Sequence, residues 1–223
     1  MRPSRILRTA VTLLILLALM FVPAGRLDWG EGWLFLGAYL AWTTAMVLWM
    51  RRADPGLYAE RQRSASHAEG WDRVVLSLIV AGYVATVVVS GLDSGRFGWS
   101  RVPLGARLAA WAVLLGAMAL VAWTMRTNTY LSGWARIQRE RGHRVVVDGP
   151  YRGVRHPMYV GAMVASLALP LVLGSWWGLV PTAAVEVAFV LRTALEDRML
   201  RRELAGYQAY ASRVRWRLLP GVW

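Results

Sequence analysis

The chain has 223 residues, 57% of them hydrophobic, and a mean hydropathy of +0.38, which is too apolar for an ordinary soluble domain. All 26 basic residues are arginine, and with 13 acidic residues they give a formal net charge of +13. Cysteine and lysine are absent, which excludes disulfides, thiolate chemistry and lysine Schiff bases. We therefore expect a membrane protein whose arginines suit an anionic lipid surface.

Uncharged stretches of 17 to 19 residues predict four membrane-spanning helices in the N-terminal part, at 9–25, 32–50, 74–92 and 108–125. Each is close to the roughly 20 residues that cross the hydrocarbon core of a bilayer. The first stretch could instead be a cleaved signal peptide, because Val22-Pro23-Ala24 resembles a cleavage site after an apolar run.

The next uncharged stretch, 156–185, is too long and too rich in proline for one straight helix. Gly174-Ser175 near its middle predicts a hairpin of two helices, at 157–173 and 177–200. The expected fold is thus all-α, a polytopic membrane helix bundle of about six helices, five plus an N-terminal one, whose last two form a hairpin. We expect residues 1–125 to form a four-helix membrane part and 126–223 to form the cofactor-binding part of one integrated domain.

The arginines predict the orientation of this bundle. Six crossings place 22 arginines on the side of both termini and four on the other side. Because basic loops stay inside, both termini are expected in the cytoplasm, in a multi-pass protein of the bacterial inner membrane. Orientation and lipid attraction explain the charge, so no nucleic-acid partner is expected.

The stretch 142–161 is the most informative part of the sequence. It contains a short apolar run at Val145 to Val147, a turn at Asp148-Gly149-Pro150, and Pro157 at a predicted helix start. Arg155 and His156 would then lie at a positive helix N-terminus, which can hold a carboxylate or a phosphate. Alternatively, Arg155 is an interfacial anchor and His156 a helix cap.

Tyr151, Tyr159 and Gly161 lie beside this helix start, and the glycine would let a flat ligand approach the first turn. No metal site is expected, because His67, His143 and His156 lack a ligand spacing and no cysteine is present.

Charged residues on the last predicted helix form a second candidate group. Arg192 and Glu196 are four residues apart and can pair on one face, while Glu196 and Asp197 could accept ribose hydroxyls or balance a sulfonium. Glu186 has the same helical angle as Asp197 at membrane depth, which makes it a candidate for the substrate side. The alternatives are a solvated helix end, and for Glu186 a polar partner on a neighbouring helix.

A third group lies where the fourth predicted helix ends. Asn128 could position a polar headgroup, and Arg126 could bind a carboxylate or a phosphate. The alternatives are an interfacial anchor for Arg126 and a helix C-terminal position for Asn128.

With these residues the sequence resembles the isoprenylcysteine carboxyl methyltransferase family, within the integral-membrane methyltransferases that include phospholipid N-methyltransferases. The resemblance runs from about Asn128 to Trp223. Its motifs are His143 with the valine run, Gly149-Pro150-Tyr151, Arg155-His156-Pro157-x-Tyr159-x-Gly161, Glu196-Asp197, Gly206-Tyr207-x-x-Tyr210 and Arg217-Leu218-Leu219-Pro220-Gly221. The family usually has two glutamates where this chain has Glu196-Asp197.

The resemblance implies that S-adenosylmethionine binds on the cytoplasmic side and that a lipid-like or prenylated substrate enters from the membrane. By position, the valine run would meet the adenine, and Glu196 would take the ribose or the amino group. The expected cofactor-binding set is His143, Val145, Val146, Val147, Gly149, Pro150, Tyr151, Arg155, His156, Pro157, Tyr159, Gly161, Glu196 and Asp197.

The residues themselves agree with methyl transfer, an in-line displacement that needs two reactants held in position and no metal. A carboxylate acceptor needs only an orienting cation such as Arg126 or Arg192, and carboxyl O-methylation is the reaction that the resemblance implies. An amine acceptor would need Glu186 or His156 as base. The expected catalytic set is thus Arg126, Asn128, Glu186 and Arg192.

Two other functions stay open at this point. An NADPH-dependent membrane reductase of the sterol type has a similar C-terminal part, but it tends to have His-Pro-Asn-Tyr where this chain has Met158. A small transporter or scaffold would need more polar residues in the second to fourth predicted helices. The sequence leaves the acceptor atom and the oligomeric state undetermined.

Overall fold

A computed structural model describes residues 3–63 and 69–223, so that His67 lies outside the described residues. The described chain forms eight α-helices, and no strand occurs in it, in agreement with the all-α prediction. The helices are α1 (Pro3–Ala24), α2 (Gly30–Ala53), α3 (Pro55–Arg61), α4 (Gly70–Ser90), α5 (Leu104–Thr127), α6 (Pro157–Val172), α7 (Leu179–Glu203) and α8 (Tyr207–Arg213). A π-helical turn, Gly91–Phe97, prolongs α4.

Within the described ranges, three helical stretches are long and apolar enough to cross a membrane: Gly30–Ala53, Gly70–Phe97 and Leu104–Thr127. The apolar stretches Ala10–Ala24 and Pro157–Val172 are shorter. Large apolar side chains point outward from the bundle, as expected for a surface in contact with lipid tails, and examples are Leu14, Leu34, Leu78, Leu115 and Val187. The six-crossing arrangement stays a prediction.

The predicted hairpin is confirmed, with α6 and α7 joined at Gly174, whose φ of +81° suits glycine. The fully buried carboxylate of Asp93 holds this end together. It accepts hydrogen bonds from the Ser175 hydroxyl at 2.6 Å and from the backbone N–H of Ser100 at 2.8 Å and of Trp177 at 3.4 Å. The hairpin is therefore tied to the turn that follows α4.

Glycines permit the closest helix approaches in the bundle. A Cβ on Gly161 of α6 would lie 2.7 Å from Cγ2 of Val121 and 3.1 Å from the carbonyl oxygen of Ala117, both on α5. A Cβ on Gly82 of α4 would lie 2.5 Å from Cγ2 of Val185 on α7. The pairs α5–α6 and α4–α7 thus pack at backbone distance.

The short helix α3 was not among the predicted elements. Pro55 occupies its first turn, and the side chain of Asp54 accepts a hydrogen bond from the N–H of Leu57 at 2.8 Å. Leu57 is fully buried against α2 and α5, and the buried carboxylate of Glu60 pairs with Arg136 at 3.1 Å. These contacts fix α3 beside the segment that follows α5.

Candidate functional site

A cavity of about 250 Å³ lies where α5 ends, α6 begins and the C-terminal half of α7 passes. The segment 128–146 and helix α3 close its other sides. Ten of the predicted site residues line it: Asn128, His143, Val145, Val146, Tyr151, Arg155, His156, Tyr159, Arg192 and Glu196. The cavity therefore gathers residues that are far apart in the sequence.

The segment after α5 is shaped by local hydrogen bonds. Asn128 accepts from the N–H of Tyr130 at 2.8 Å and donates to the hydroxyl of Tyr151 at 2.8 Å. The fully buried Gln138 donates from its side chain to the carbonyl of Tyr130 at 2.6 Å. Asn128 thus joins the end of α5 to the cavity wall rather than pointing freely at a ligand.

His143 is stacked on Tyr130, with ring centroids 4.7 Å apart. Its Nδ1 accepts from the backbone N–H of Gln138 at 3.4 Å, which assigns the ring proton to Nε2. Burial and the positive charges of Arg141 and Arg136 lower the pKa of His143 to about 4. The ring is therefore neutral at pH 7 and adds no positive charge to this end of the cavity.

The sequence predicted that Arg155 presents a free guanidinium to an anion at the start of α6. In the structure its guanidinium is instead bound by protein groups. It pairs with Asp197 through Nε at 2.8 Å and Nη2 at 3.3 Å. Its Nη1 donates to the carbonyls of Val214 at 2.9 Å and Arg215 at 2.8 Å. The charge of Arg155 is thus balanced inside the protein, and its side chain connects α6, α7 and the segment after α8.

Asp197 is the centre of this connection and does not line the cavity. Its carboxylate also pairs with Arg201 at 3.0 Å and Arg217 at 3.1 Å, and it accepts from the Tyr207 hydroxyl at 2.9 Å. The Nε2 of His156 lies 3.6 Å from it. The predicted acid pair is therefore divided, because only Glu196 faces the cavity.

Glu196 accepts a hydrogen bond from the hydroxyl of Tyr159 through Oε2. Within the described chain Oε1 of Glu196 has no protein partner, so it is the carboxylate oxygen that a ligand can reach. Tyr159 is buried and packs against Phe189, which fixes the hydroxyl in position. Glu196 and Tyr159 together offer an acceptor and a ring face to a cationic or hydroxylated ligand.

The four-residue spacing of Arg192 and Glu196 predicted that these two residues pair. In the structure Arg192 pairs with Asp72 of α4 instead. Nε lies 2.8 Å from Oδ1 of Asp72 and Nη2 lies 3.3 Å from Oδ2, a bidentate arrangement. Nη2 also donates to the carbonyl of Gly133 at 3.1 Å. Asp72 was not predicted as a site residue, although a buried acid in the first turn of an apolar helix is a signal for a charged partner.

Two predicted catalytic residues lie away from the cavity. Arg126 is exposed at the end of α5, with its guanidinium 5.7 Å from the Trp49 ring, as an interfacial anchor would be. Glu186 accepts a hydrogen bond from the Ser166 hydroxyl across the α6–α7 interface. This is the polar partner on a neighbouring helix that the sequence analysis gave as the alternative to a substrate-binding role. The structure therefore brings neither side chain to the other predicted groups.

The remaining predicted residues have backbone or packing positions. Gly161 faces α5, so it permits helix packing and does not open a path for a flat ligand. Gly149 has φ +57° in the turn before α6, Pro150 is buried, and Pro157 begins α6. Val147 is 40% exposed and lies outside the cavity lining.

Sequence reasoning missed several lining residues. They come from α3, from the segment after α5 and from α7, and they include Arg61, Trp134, Arg136 and Leu200, whereas Tyr207 of α8 was named only within a motif. Burial, followed by the negative charge of Asp197, raises the pKa of Tyr207, so this hydroxyl stays protonated. Among the described residues no group of three or more histidines and acids could hold a metal ion.

The sequence model of the phospholipid methyltransferase family matches residues 105–205. The chain is also similar to a protein of Alcaligenes xylosoxydans xylosoxydans named nickel-cobalt-cadmium resistance protein NccN, with 30% identity over 139 residues. That match covers 58% of this chain and 58% of the relative, so the chain spans little more than half the length of this curated relative. The family match starts at the first residues of α5, ends just after α7, and contains most of the cavity lining. Residues 105–205, a little under half of the chain, are thus similar to the phospholipid methyltransferase family of integral-membrane methyltransferases, which includes the isoprenylcysteine carboxyl methyltransferases.

Proposed function

We propose that this protein is an S-adenosylmethionine-dependent methyltransferase that methylates the carboxylate of a lipid-like or prenylated molecule. The observation that carries the proposal is the Glu196–Tyr159 pair, which faces a cavity inside the segment matched by the family. The apolar residues Val145 and Val146 line the same cavity. S-adenosylmethionine has a flat base and a charged amino-acid part, so its site needs both apolar and polar lining residues.

The lining fits the chemical groups of this methyl donor. Val145 and Val146 offer an apolar edge to a flat base, and the free oxygen of Glu196 can accept from ribose hydroxyls or an ammonium group. The rings of Tyr151, Tyr159 and Tyr207 line the cavity as well. Aromatic faces attract a cation such as a sulfonium, so the residues that line this cavity fit S-adenosylmethionine.

When bound, S-adenosylmethionine supplies an activated methyl group, so the protein has to hold two reactants in line and to exclude water. Tyr159 is suited to positioning, because it is fixed by Glu196 at its hydroxyl and by Phe189 at its ring. Arg192, held by Asp72, keeps its guanidinium 5.3 Å from the centroid of the same ring.

The positions of the candidate bases favour a carboxylate acceptor over an amine. A carboxylate is ionised at pH 7 and needs no base, whereas an ammonium group must first lose a proton. Glu186 lies outside the cavity, and His156 faces Asp197 and the hydroxyl of Tyr207. Of the two, only His156 lines the cavity, and its Nε2 is directed towards protein groups.

The relative's name refers to metal resistance, a function that the cavity of this chain does not favour. Its described residues have no group of three or more histidines and acids that could hold a metal ion. A membrane methyltransferase is the function that fits the matched segment.

The proposal is tested by calorimetric titration of the detergent-purified protein with S-adenosylhomocysteine and, in parallel, NADPH. We expect S-adenosylhomocysteine to bind and NADPH not to bind. Glu196→Gln should weaken that binding about tenfold or more, because a hydrogen bond to a charged group contributes about 1.5–3 kcal/mol. The matched control is Glu203→Gln on the same helix, whose carboxylate pairs with Arg202 outside the cavity.

Binding of NADPH without S-adenosylhomocysteine would contradict the proposal and favour the reductase. Equal affinity of Glu196→Gln and the unaltered protein would show that the cofactor does not meet Glu196.

A further inference from the structure

Three of the five guanidinium groups that line the cavity are paired with carboxylates. The pairs are Arg136 with Glu60 and Glu140, Arg155 with Asp197, and Arg192 with Asp72. These three arginines hold helices together, so their charge is not available to a ligand.

Arg61 differs from these three. It is the last residue of α3, it lines the cavity, and Nη1 donates to the carbonyl oxygen of Leu131 at 3.4 Å. In the described part of the chain no carboxylate lies within 4.0 Å of its guanidinium. Burial and the nearby charge of Arg192 lower its pKa, so Arg61 is a cation in a place that disfavours an unpaired cation. Arg144 also lacks a carboxylate there, but it is exposed to solvent.

The helix α3, from which the Arg61 side chain extends, is held in place by its other residues. Leu57 is fully buried, and the carboxylate of Glu60 is fixed by Arg63 at 3.0 Å and Arg136 at 3.1 Å. A ligand would therefore meet an arginine whose backbone is in place before binding, which reduces the ordering that association requires.

Arg61 and Leu76 are the cavity-lining residues that precede the segment matched by the family. They bring one cation and one apolar side chain to the cavity lining. An amphiphile with an anionic end group has the same two features. The part of the chain outside the family match thus contributes what is needed to select an acceptor.

We infer that Arg61 binds the carboxylate of the methyl acceptor, an inference that rests on the proposed function. In the transfer, a carboxylate oxygen bonds to the methyl carbon while the bond from that carbon to sulfur breaks. The sulfonium becomes a neutral thioether, the carboxylate becomes a neutral ester, and no proton is released. Arg61 therefore attracts the substrate but not the product, which favours release of the ester.

The experiment uses matched ligands that differ only in the end group. Farnesylthiopropionic acid and palmitic acid, each with its carboxamide and its methyl ester, are titrated into the purified full-length protein with and without S-adenosylhomocysteine. We expect at least one acid to bind about tenfold more tightly than its amide and ester. Arg61→Gln should remove this preference, and Arg61→Lys should restore part of it.

Arg52→Gln is the matched control, because Arg52 is exposed at the end of α2 and does not line the cavity. The acid preference should survive in this variant. The affinity for S-adenosylhomocysteine should be the same in Arg61→Gln, Arg52→Gln and the unaltered protein, and unfolding temperatures check that each variant is folded.

Three results would overturn the inference. The first is an unaltered protein that binds no acid more tightly than its amide. The second is an acid preference that persists in Arg61→Gln. The third is a loss of S-adenosylhomocysteine affinity in Arg61→Gln, which would assign the guanidinium to the carboxylate of the cofactor. Failure of the proposed function is seen separately, as an absence of S-adenosylhomocysteine binding in the unaltered protein.

Discussion

At the residue scale, the contrast between the neighbours Glu196 and Asp197 defines the site. Glu196 has one free carboxylate oxygen at the cavity, whereas Asp197 is buried and surrounded by Arg155, Arg201 and Arg217. One acid is available to a ligand, and the other holds the surrounding elements. Substitutions at the two positions should therefore have different effects.

Asp197→Asn should destabilise the protein by about 3–5 kcal/mol, because it leaves the buried guanidinium of Arg155 without its counter-charge. Thermal unfolding in detergent measures this loss. Asp148→Asn removes an exposed pair with Arg152 and should leave the unfolding temperature unchanged. Equal unfolding temperatures for the two variants would contradict the structural role of Asp197.

The sequence alone identified many side chains of the cavity but not their partners. Tyr151, His156, Tyr159 and Glu196 were predicted, because they belong to motifs that are defined by their order and spacing along the chain. The pair Arg192–Asp72 joins positions 120 residues apart, and no local spacing indicates it. Arg61 was missed for the same reason, because its role depends on where α3 packs.

At the element scale, glycine determines how closely α5 and α6 approach. Gly161→Ala places a Cβ 3.1 Å from the backbone carbonyl oxygen of Ala117, which cannot rotate away, and overpacking of this kind costs about 1–3 kcal/mol. Gly116→Ala on α5 adds a Cβ with nothing within 4 Å and should be neutral or stabilising. Chemical denaturation in detergent compares the two variants, and a Gly161→Ala protein as stable as Gly116→Ala would disprove the close contact.

The sequence predicted long elements better than short ones. The hairpin of α6 and α7 follows from Pro157, which begins α6, and from Gly174, which lies in the turn after it, whereas Pro170 lies inside α6. Helix α3 has seven residues and is stabilised by the Asp54 cap and by long-range pairs of Glu60. A helix that depends on tertiary contacts leaves little periodic signal.

At the scale of the whole molecule, apolar side chains face outward along the bundle and the charged cavity lies at one end. The arginine distribution predicts that this end faces the cytoplasm. The absence of native cysteine makes this orientation testable with single introduced thiols.

Leu27→Cys, between α1 and α2, and Gln208→Cys, in α8, place a thiol at two exposed positions. With six crossings these positions lie on opposite sides of the membrane. A membrane-impermeant maleimide should label Leu27→Cys in intact cells and Gln208→Cys only after permeabilisation. The reverse pattern would invert the topology, and labelling of both in intact cells would contradict six crossings.

Backbone hydrogen bonds reinforce the ion pairs of Asp197 at the start of α6. The N–H of Arg155 donates to the carbonyl of Trp216 at 2.9 Å and that of His156 to the carbonyl of Arg217 at 3.0 Å, so backbone bonds add to the ion pairs on this side. The α6–α7 side of the cavity is therefore a stiff wall, joined at several points to the chain after α8. A change in the shape of the cavity on this side would have to break these backbone bonds together with the ion pairs of Asp197.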